Sequence, residues 1–233
     1  DVTVLLRAPS PSPARNPVQP QGYRAGRRRT HLVPVCCAAA APLVPALKRG
    51  NASSLGVVVT GGTKGVGFAL AAAFLASGDR VVIASRDPER VQSALHALED
   101  NHAEGRVHGL AMDVSKPEDM RRLGEFARHS LEGRVDVWIN NAGQVGTRKN
   151  LVDLEAEDVR AVVSTNLLGA LLGCREAEQV MRETGGHCFT MDGAGAGGDP
   201  TAGYAAYGAT KRAVPQMVAS ISQELKDSAV RFH

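Results

Sequence analysis

Aromatic residues are scarce, at 4% of 233 residues with a single tryptophan, which argues against the stacking platforms that bind single-stranded nucleic acid. The longest apolar stretch, Val33 to Leu47, is interrupted by Pro34, Pro42 and Pro45. Nothing approaches the roughly 18 unbroken apolar residues of a transmembrane helix, so none is expected. Four cysteines are too few for a disulfide framework in a chain of this length, and they fit a reducing compartment. The seven histidines show no ligand spacing, so no metal site is expected. What the chain does have is 43% hydrophobic and 22% charged residues, enough to bury the core of one large α/β domain.

The formal net charge of +3 divides unevenly. Residues 1–54 carry eight Lys and Arg against one acid, Asp1, and eight of the twelve prolines. The rest holds 19 basic and 23 acidic residues. The basic character therefore belongs to a tail, and the mildly acidic remainder gives no footprint for nucleic acid. Residues 1–54 have no sustained period of 2 or 3.6, and such a stretch does not bury enough apolar surface to offset its ordering entropy. It reads as a disordered tail with the Arg-rich, acid-poor profile of an organelle transit peptide. The run Val35-Cys36-Cys37-Ala38-Ala39 resembles the processing region of plastid-imported proteins. A basic linker is the alternative on composition alone.

From residue 55 the pattern alternates between short Val/Ile-rich runs and helical spacing. Strands are expected at Val57–Val59, Val81–Ile83, about Val107–Met112, Val135–Ile139, about His187–Met191 and from Val230. Helices are expected at about Gly65–Ser77, Asp87–Leu98, Lys116–Ser130, Ala156–Met181 and Tyr204–Leu225. Continuous apolar strands between helices specify a parallel sheet covered on both faces. With right-handed crossovers, residues 55–233 form one doubly wound, Rossmann-type α/β domain.

The first strand–helix turn reads Thr60-Gly61-Gly62-Thr63-Lys64-Gly65-Val66-Gly67. Glycines 61, 65 and 67 permit a tight turn, close approach to a pyrophosphate and close helix packing. The free N–H groups of the helix start, with Thr63, Lys64 and Val66 in the turn, suit phosphate. The second strand ends Ala84-Ser85-Arg86 rather than on an acid. A hydroxyl and a guanidinium favour a 2′-phosphate, hence NADPH over NADH; Lys64 adds a second cation. Asp87 reads as a helix cap. Tyr207 and Lys211, four apart, share one helix face. An ammonium beside a phenol is expected to lower the phenol's pKa from about 10 and prepare Tyr207 to donate a proton to an alkoxide.

The Gly61/Gly65/Gly67 spacing, Asn140-Asn141-Ala142-Gly143 and Tyr207-Gly208-Ala209-Thr210-Lys211 resemble the short-chain dehydrogenase/reductases, over residues 57–211. The resemblance implies catalytic roles for Tyr207, Lys211 and Asn166, the last anchoring a water relay. It also implies that Lys211 binds the nicotinamide ribose, and that Asp113, Val114, Asn140, Asn141, Ala142 and Gly143 line the nucleotide with Tyr207. The family usually carries a serine about a dozen residues before the tyrosine. Here the segment reads Met191-Asp192-Gly193-Ala194-Gly195. A charged Asp192 would repel a developing oxyanion, whereas a protonated Asp192 or the Gly193 N–H would stabilise it.

That segment, with Trp138-Ile139-Asn140-Asn141-Ala142-Gly143 and Ser164-Thr165-Asn166-Leu167, resembles the chlorophyll b reductase branch. The branch implies NADPH-dependent reduction of the 7-formyl group of chlorophyll b or chlorophyllide b to 7-hydroxymethyl. It further implies a chloroplast location, peripheral association with thylakoids or light-harvesting complexes, and a homo- or hetero-oligomer. Two alternatives stay open: reduction of a 3-oxoacyl thioester, and a non-catalytic partner of a true reductase. Family domains continue past strand six with a substrate-covering segment and a seventh strand, and the chain opens on Asp1 rather than Met. The expectation is a sequence incomplete at both ends. Cys174 and Cys188 read as small core residues.

Overall fold

The computed structural model describes residues 54–102 and 105–233. The expected basic tail, residues 1–54, lies outside the described residues except for Ser54. The elements run β1 (Gly56–Thr60), α1 (Gly65–Ala76), β2 (Arg80–Ser85), α2 (Pro88–His102), β3 (Val107–Ala111), α3 (Pro117–Ser130), β4 (Val137–Asn140), α4 (Ala156–Val163), α5 (Gly169–Met181), β5 (Gly186–Thr190), α6 (Ala205–Glu224) and β6 (Val230–Phe232). All six strands are parallel, in the order β3-β2-β1-β4-β5-β6. Chain direction across the sheet reverses between β1 and β4, and there the carboxyl ends of the strands open a crevice.

Strand parity assigns each residue to one of two cores. Val57, Val59, Val81 and Ile83 face one side, against Ala71, Phe74 and Leu75 of α1 and Ala94 and Leu98 of α2. Val58, Val82, Ala84 and Trp138 face the other, against Met120 and Leu123 of α3, Cys174 and Met181 of α5 and Met217 of α6. Every residue of β1 is buried, as a central parallel strand requires. Each fully buried Val, Leu or Phe contributes about 1.5–3 kcal/mol of transfer free energy. Two acids hold the opposite end of the sheet: Asp79 Oδ1 accepts from Leu55 N at 2.9 Å, and Asp136 Oδ2 from Gly56 N at 2.8 Å.

The helix expected as continuous from Ala156 to Met181 is interrupted. Residues Ser164–Leu168 form a π-helical turn, closed by Gly169 N donating to Ser164 O. Such a bulge inserts one extra residue per turn and re-aims side chains, and it recurs at functional sites. Here it carries Asn166, 3% exposed, toward the β4 loop. Pro215 sits inside α6 and lacks the N–H that would bond the Lys211 carbonyl four residues back.

Candidate active site

The glycine turn is held rather than loose. Gly61 N and Gly62 N both donate to Ala84 O, at 2.7 and 3.3 Å. Gly61 and Gly65 have φ of +66° and +56°, conformations that favour glycine. A β-carbon on Gly67 would stand 2.4 Å from both the Asn141 amide nitrogen and the Gly61 carbonyl. Thr60 Oγ1 accepts from Asn141 N and Ala142 N, each at 3.1 Å, and Asn141 Nδ2 donates to Thr60 O and Gly61 O at 2.9 and 3.1 Å. Asn141 therefore fixes the shape of the turn from behind.

The start of α1 has no side-chain cap, and Lys64, Gly65 and Val66 are exposed. A groove of about 550 Å³ runs from this helix end past Ser85, Arg86 and Val114 to Ala142 and Gly143. Its volume, its bare helix N-terminus and its cations fit an extended dinucleotide. Asp87 is occupied as expected: its Oδ1 accepts from Glu89 N and Arg90 N, and its Oδ2 pairs with Arg90 Nε at 3.0 Å. Arg90, which the sequence reading passed over, lines the same groove. Its position in the first turn of α2, directly after the Ser85-Arg86 strand end, is the signal that would have found it.

One expected nucleotide residue, Asn140, is placed differently. Asn140 is 7% exposed, and its side chain turns into the core, accepting from Trp138 Nε1 at 2.9 Å and donating to Cys174 and Cys188 Sγ at 3.4 and 3.6 Å. It shares its strand face with Trp138, two residues before, so parity sends it inward. The carboxylate of Asp113 bonds Ser115 N and Oγ at 2.9 and 2.8 Å. Burial pushes its pKa up, but these two hydrogen bonds and the cations Arg86 and Lys116 outweigh burial and hold it below the ordinary value. Its neighbours Met112 and Val114, the latter as expected, line the groove. Cys174 and Cys188 are buried, as expected.

Around Tyr207 the structure brings together β5, the π turn and α6. Lys211 Nζ lies 6.0 Å from the Tyr207 ring centroid and donates to Met191 O at 2.8 Å. Asn166 Oδ1 accepts from Gln144 N at 2.8 Å, while its amide group donates to Gln144 O at 2.9 Å and Thr210 Oγ1 at 3.2 Å. Thr210 Oγ1 in turn donates to Tyr207 O at 2.7 Å. Both Asn166 amide hydrogens are thus used, and the side chain ties the β4 loop to the turn of α6 bearing Tyr207.

Asp192 Oδ1 accepts the Gly193 N–H at 2.6 Å, so the backbone donor envisaged for an oxyanion is already engaged. The phenol pKa is not lowered as the sequence suggested. Burial first, then the Asp192 charge and Tyr204, push it above the ordinary tyrosine value. Burial lowers Lys211, and Asp192 partly restores it. A β-carbon on Gly193 would meet the Tyr207 hydroxyl at 2.4 Å, a requirement invisible in sequence because it is a contact between two elements.

A doubly wound sheet with a glycine cradle at its switch point and a tyrosine–lysine pair above the neighbouring strand end defines a dinucleotide-binding domain of the oxidoreductase type. The description of the short chain dehydrogenases matches residues 56–233, and the chain belongs to that family. The probable chlorophyll(ide) b reductase NYC1, chloroplastic, of Oryza sativa subsp. japonica is 47% identical over 194 residues, covering 76% of this chain and 38% of that protein. The chlorophyll(ide) b reductase NOL, chloroplastic, of the same organism is 46% identical over 177 residues, covering 75% of this chain and 51% of that protein. The chain thus spans about half or less of the length of these relatives. Among solved structures, a metagenomic short-chain oxidoreductase in complex with NADP is 28% identical with a TM-score of 0.69, covering 77% of this chain and 79% of that one.

Proposed function

We propose that the protein is an NADPH-dependent reductase of the 7-formyl group of chlorophyll b or chlorophyllide b, yielding the 7-hydroxymethyl pigment. The observation that carries the pigment assignment is the 42–47% identity to four proteins named chlorophyll(ide) b reductase. Their names also say chloroplastic, which supports a chloroplast location; peripheral contact with thylakoids or light-harvesting complexes and assembly into an oligomer belong to the same reading.

The cofactor groove supports NADPH. The phosphates would rest on the N–H groups from Thr63 to Gly67, and a 2′-phosphate on Ser85, Arg86 and Arg90, with Lys64 nearby. When bound, a reduced nicotinamide supplies hydride. The chain's own residues supply the proton and the positioning. Tyr207 donates its hydroxyl proton to the oxygen of the former formyl group. A phenol held above its ordinary pKa stays protonated through neutral pH, which suits a proton donor and therefore the reductive direction. Lys211, anchored on Met191 O, would hold the ribose and stabilise the phenolate left behind. Asp192 follows β5 in the segment that lacks the family's serine, and its charge adds to burial in keeping Tyr207 protonated.

Incubation of the full chain with NADPH and either chlorophyllide b or a 3-oxoacyl thioester tests the reading. The expected product is 7-hydroxymethyl chlorophyllide, identified by chromatography and mass. Turnover of the thioester alone would overturn it.

A further inference from the structure

Beside Tyr207 the chain builds a second surface that the cofactor groove and the proton donor do not use. The Tyr204 ring meets Tyr207 edge-on, with centroids 6.1 Å apart and planes at 64°. Over the Tyr204 ring lies the guanidinium of Arg148, its central carbon 5.1 Å from the centroid. With legs of 5.1 and 6.1 Å, that carbon is at most about 11 Å from the Tyr207 ring centroid.

The stack is seated. Gly203, at φ +80°, leaves room for the Arg148 stem, whose Cγ would lie 3.0 Å from any β-carbon there. Among the described residues no carboxylate forms an ion pair with Arg148, although Asp153 lines the same depression together with Lys149. That depression is about 600 Å³ and open to solvent, and a smaller one of about 210 Å³ reaches Tyr207 and is bordered by Asp199. Gly203 lines the first and its chain neighbour Tyr204 the second. Apolar side chains stand exposed on the segment that carries Arg148: Val145, Leu151 and Val152.

A stacked ring and guanidinium beside apolar surface suit a flat conjugated body, and an Arg fork without an acidic partner suits a carboxylate at that body's far edge. Resting on the pigment reading above, we propose that Arg148, held on Tyr204, is the specificity residue that binds the free propionate carboxylate of chlorophyllide b, favouring it over the phytyl ester, chlorophyll b. The substrate's own layout sets what the contact needs. The 7-formyl and 17-propionate groups sit on diagonally opposite rings, so a formyl carbon at Tyr207 sends the carboxylate across the macrocycle. Because the contact is equal in the ground and transition states, its loss appears in KM with kcat little changed.

The test compares chlorophyllide b with its methyl ester, which removes the charge and adds one carbon, using the full chain with NADPH. The wild type is expected to favour the acid about tenfold in kcat/KM, the scale of one hydrogen-bonded charge pair. R148A is expected to bring the acid-to-ester ratio near one through KM, R148K to retain part of it, and Y204L to lose it where Y204F keeps it. A wild-type ratio near one, an equal loss on both substrates in R148A, or a ratio that responds to K149A instead would overturn the inference while leaving pigment reduction standing. Reduction of neither pigment would overturn the pigment reading, and this inference with it.

Discussion

Gly193 and Tyr207 are in direct opposition: a β-carbon on the former would lie 2.4 Å from the hydroxyl oxygen of the latter, and 3.2 Å from Lys211 Cε. The Tyr207 hydroxyl has its position because residue 193 has no side chain. Gly193 is not among the residues with positive φ, so alanine there is a steric change and not a backbone one. Gly193→Ala is expected to displace the Tyr207 hydroxyl and lower kcat/KM on the order of a hundredfold, the usual scale for a misplacement of about 1 Å. Far-ultraviolet circular dichroism should match the wild type. Unchanged kinetics in a folded variant would show that the hydroxyl does not need that place.

Asp192 adds to burial in raising the proton affinity of Tyr207. Its negative charge disfavours the phenolate and so raises the phenol pKa; it raises the Lys211 pKa as well. Asp192→Asn removes that charge, so both pKa values fall. Reduction needs the protonated phenol, and its rate is lost as pH rises through the Tyr207 pKa. The alkaline limb of the kcat/KM profile is therefore expected to begin at lower pH in Asp192→Asn than in the wild type. A limb at the same or higher pH would remove Asp192 from this role.

Arg86, just before α2, and Arg90, in its first turn, border the same groove. Arg86→Ala is expected to raise the Kd for NADPH about tenfold, the value of one charge-assisted pair with a phosphate, and to move the Kd for NADH much less. Fluorescence titration of each nucleotide checks this. Equal losses for both would place Arg86 off the 2′-phosphate.

Asn140 satisfies the buried Trp138 indole N–H. Asn140→Ala leaves that donor buried without a partner, and a loss of about 1–3 kcal/mol in denaturant unfolding is expected. The Kd for NADPH should change little. The opposite pattern, normal stability with weakened nucleotide binding, would return Asn140 to the cofactor site.

The alternation of strands and helices was legible because buried parallel strands and amphipathic helices leave different periods in the chain, and the glycine turn was legible because its conformation demands glycine at fixed spacing. Asn140 was readable in principle, from its parity with Trp138. The π turn was not: Ser164–Leu168 has no residue that breaks a helix, and the bulge is set by the partners of Asn166 on a loop and another helix. The sign of the Tyr207 shift was equally hidden. Four-residue spacing puts Lys211 on the right face, but burial and the Asp192 carboxylate, brought in from β5, decide the outcome.

The most direct measurement of the central claim is the rate at which the full chain forms 7-hydroxymethyl chlorophyllide from chlorophyllide b and NADPH, set against that of Tyr207→Phe. Removing a positioned general acid costs about 10²–10⁴ in rate, so the variant is expected to lose at least a hundredfold while still binding NADPH. A Tyr207→Phe protein that forms the product at the wild-type rate would contradict the account.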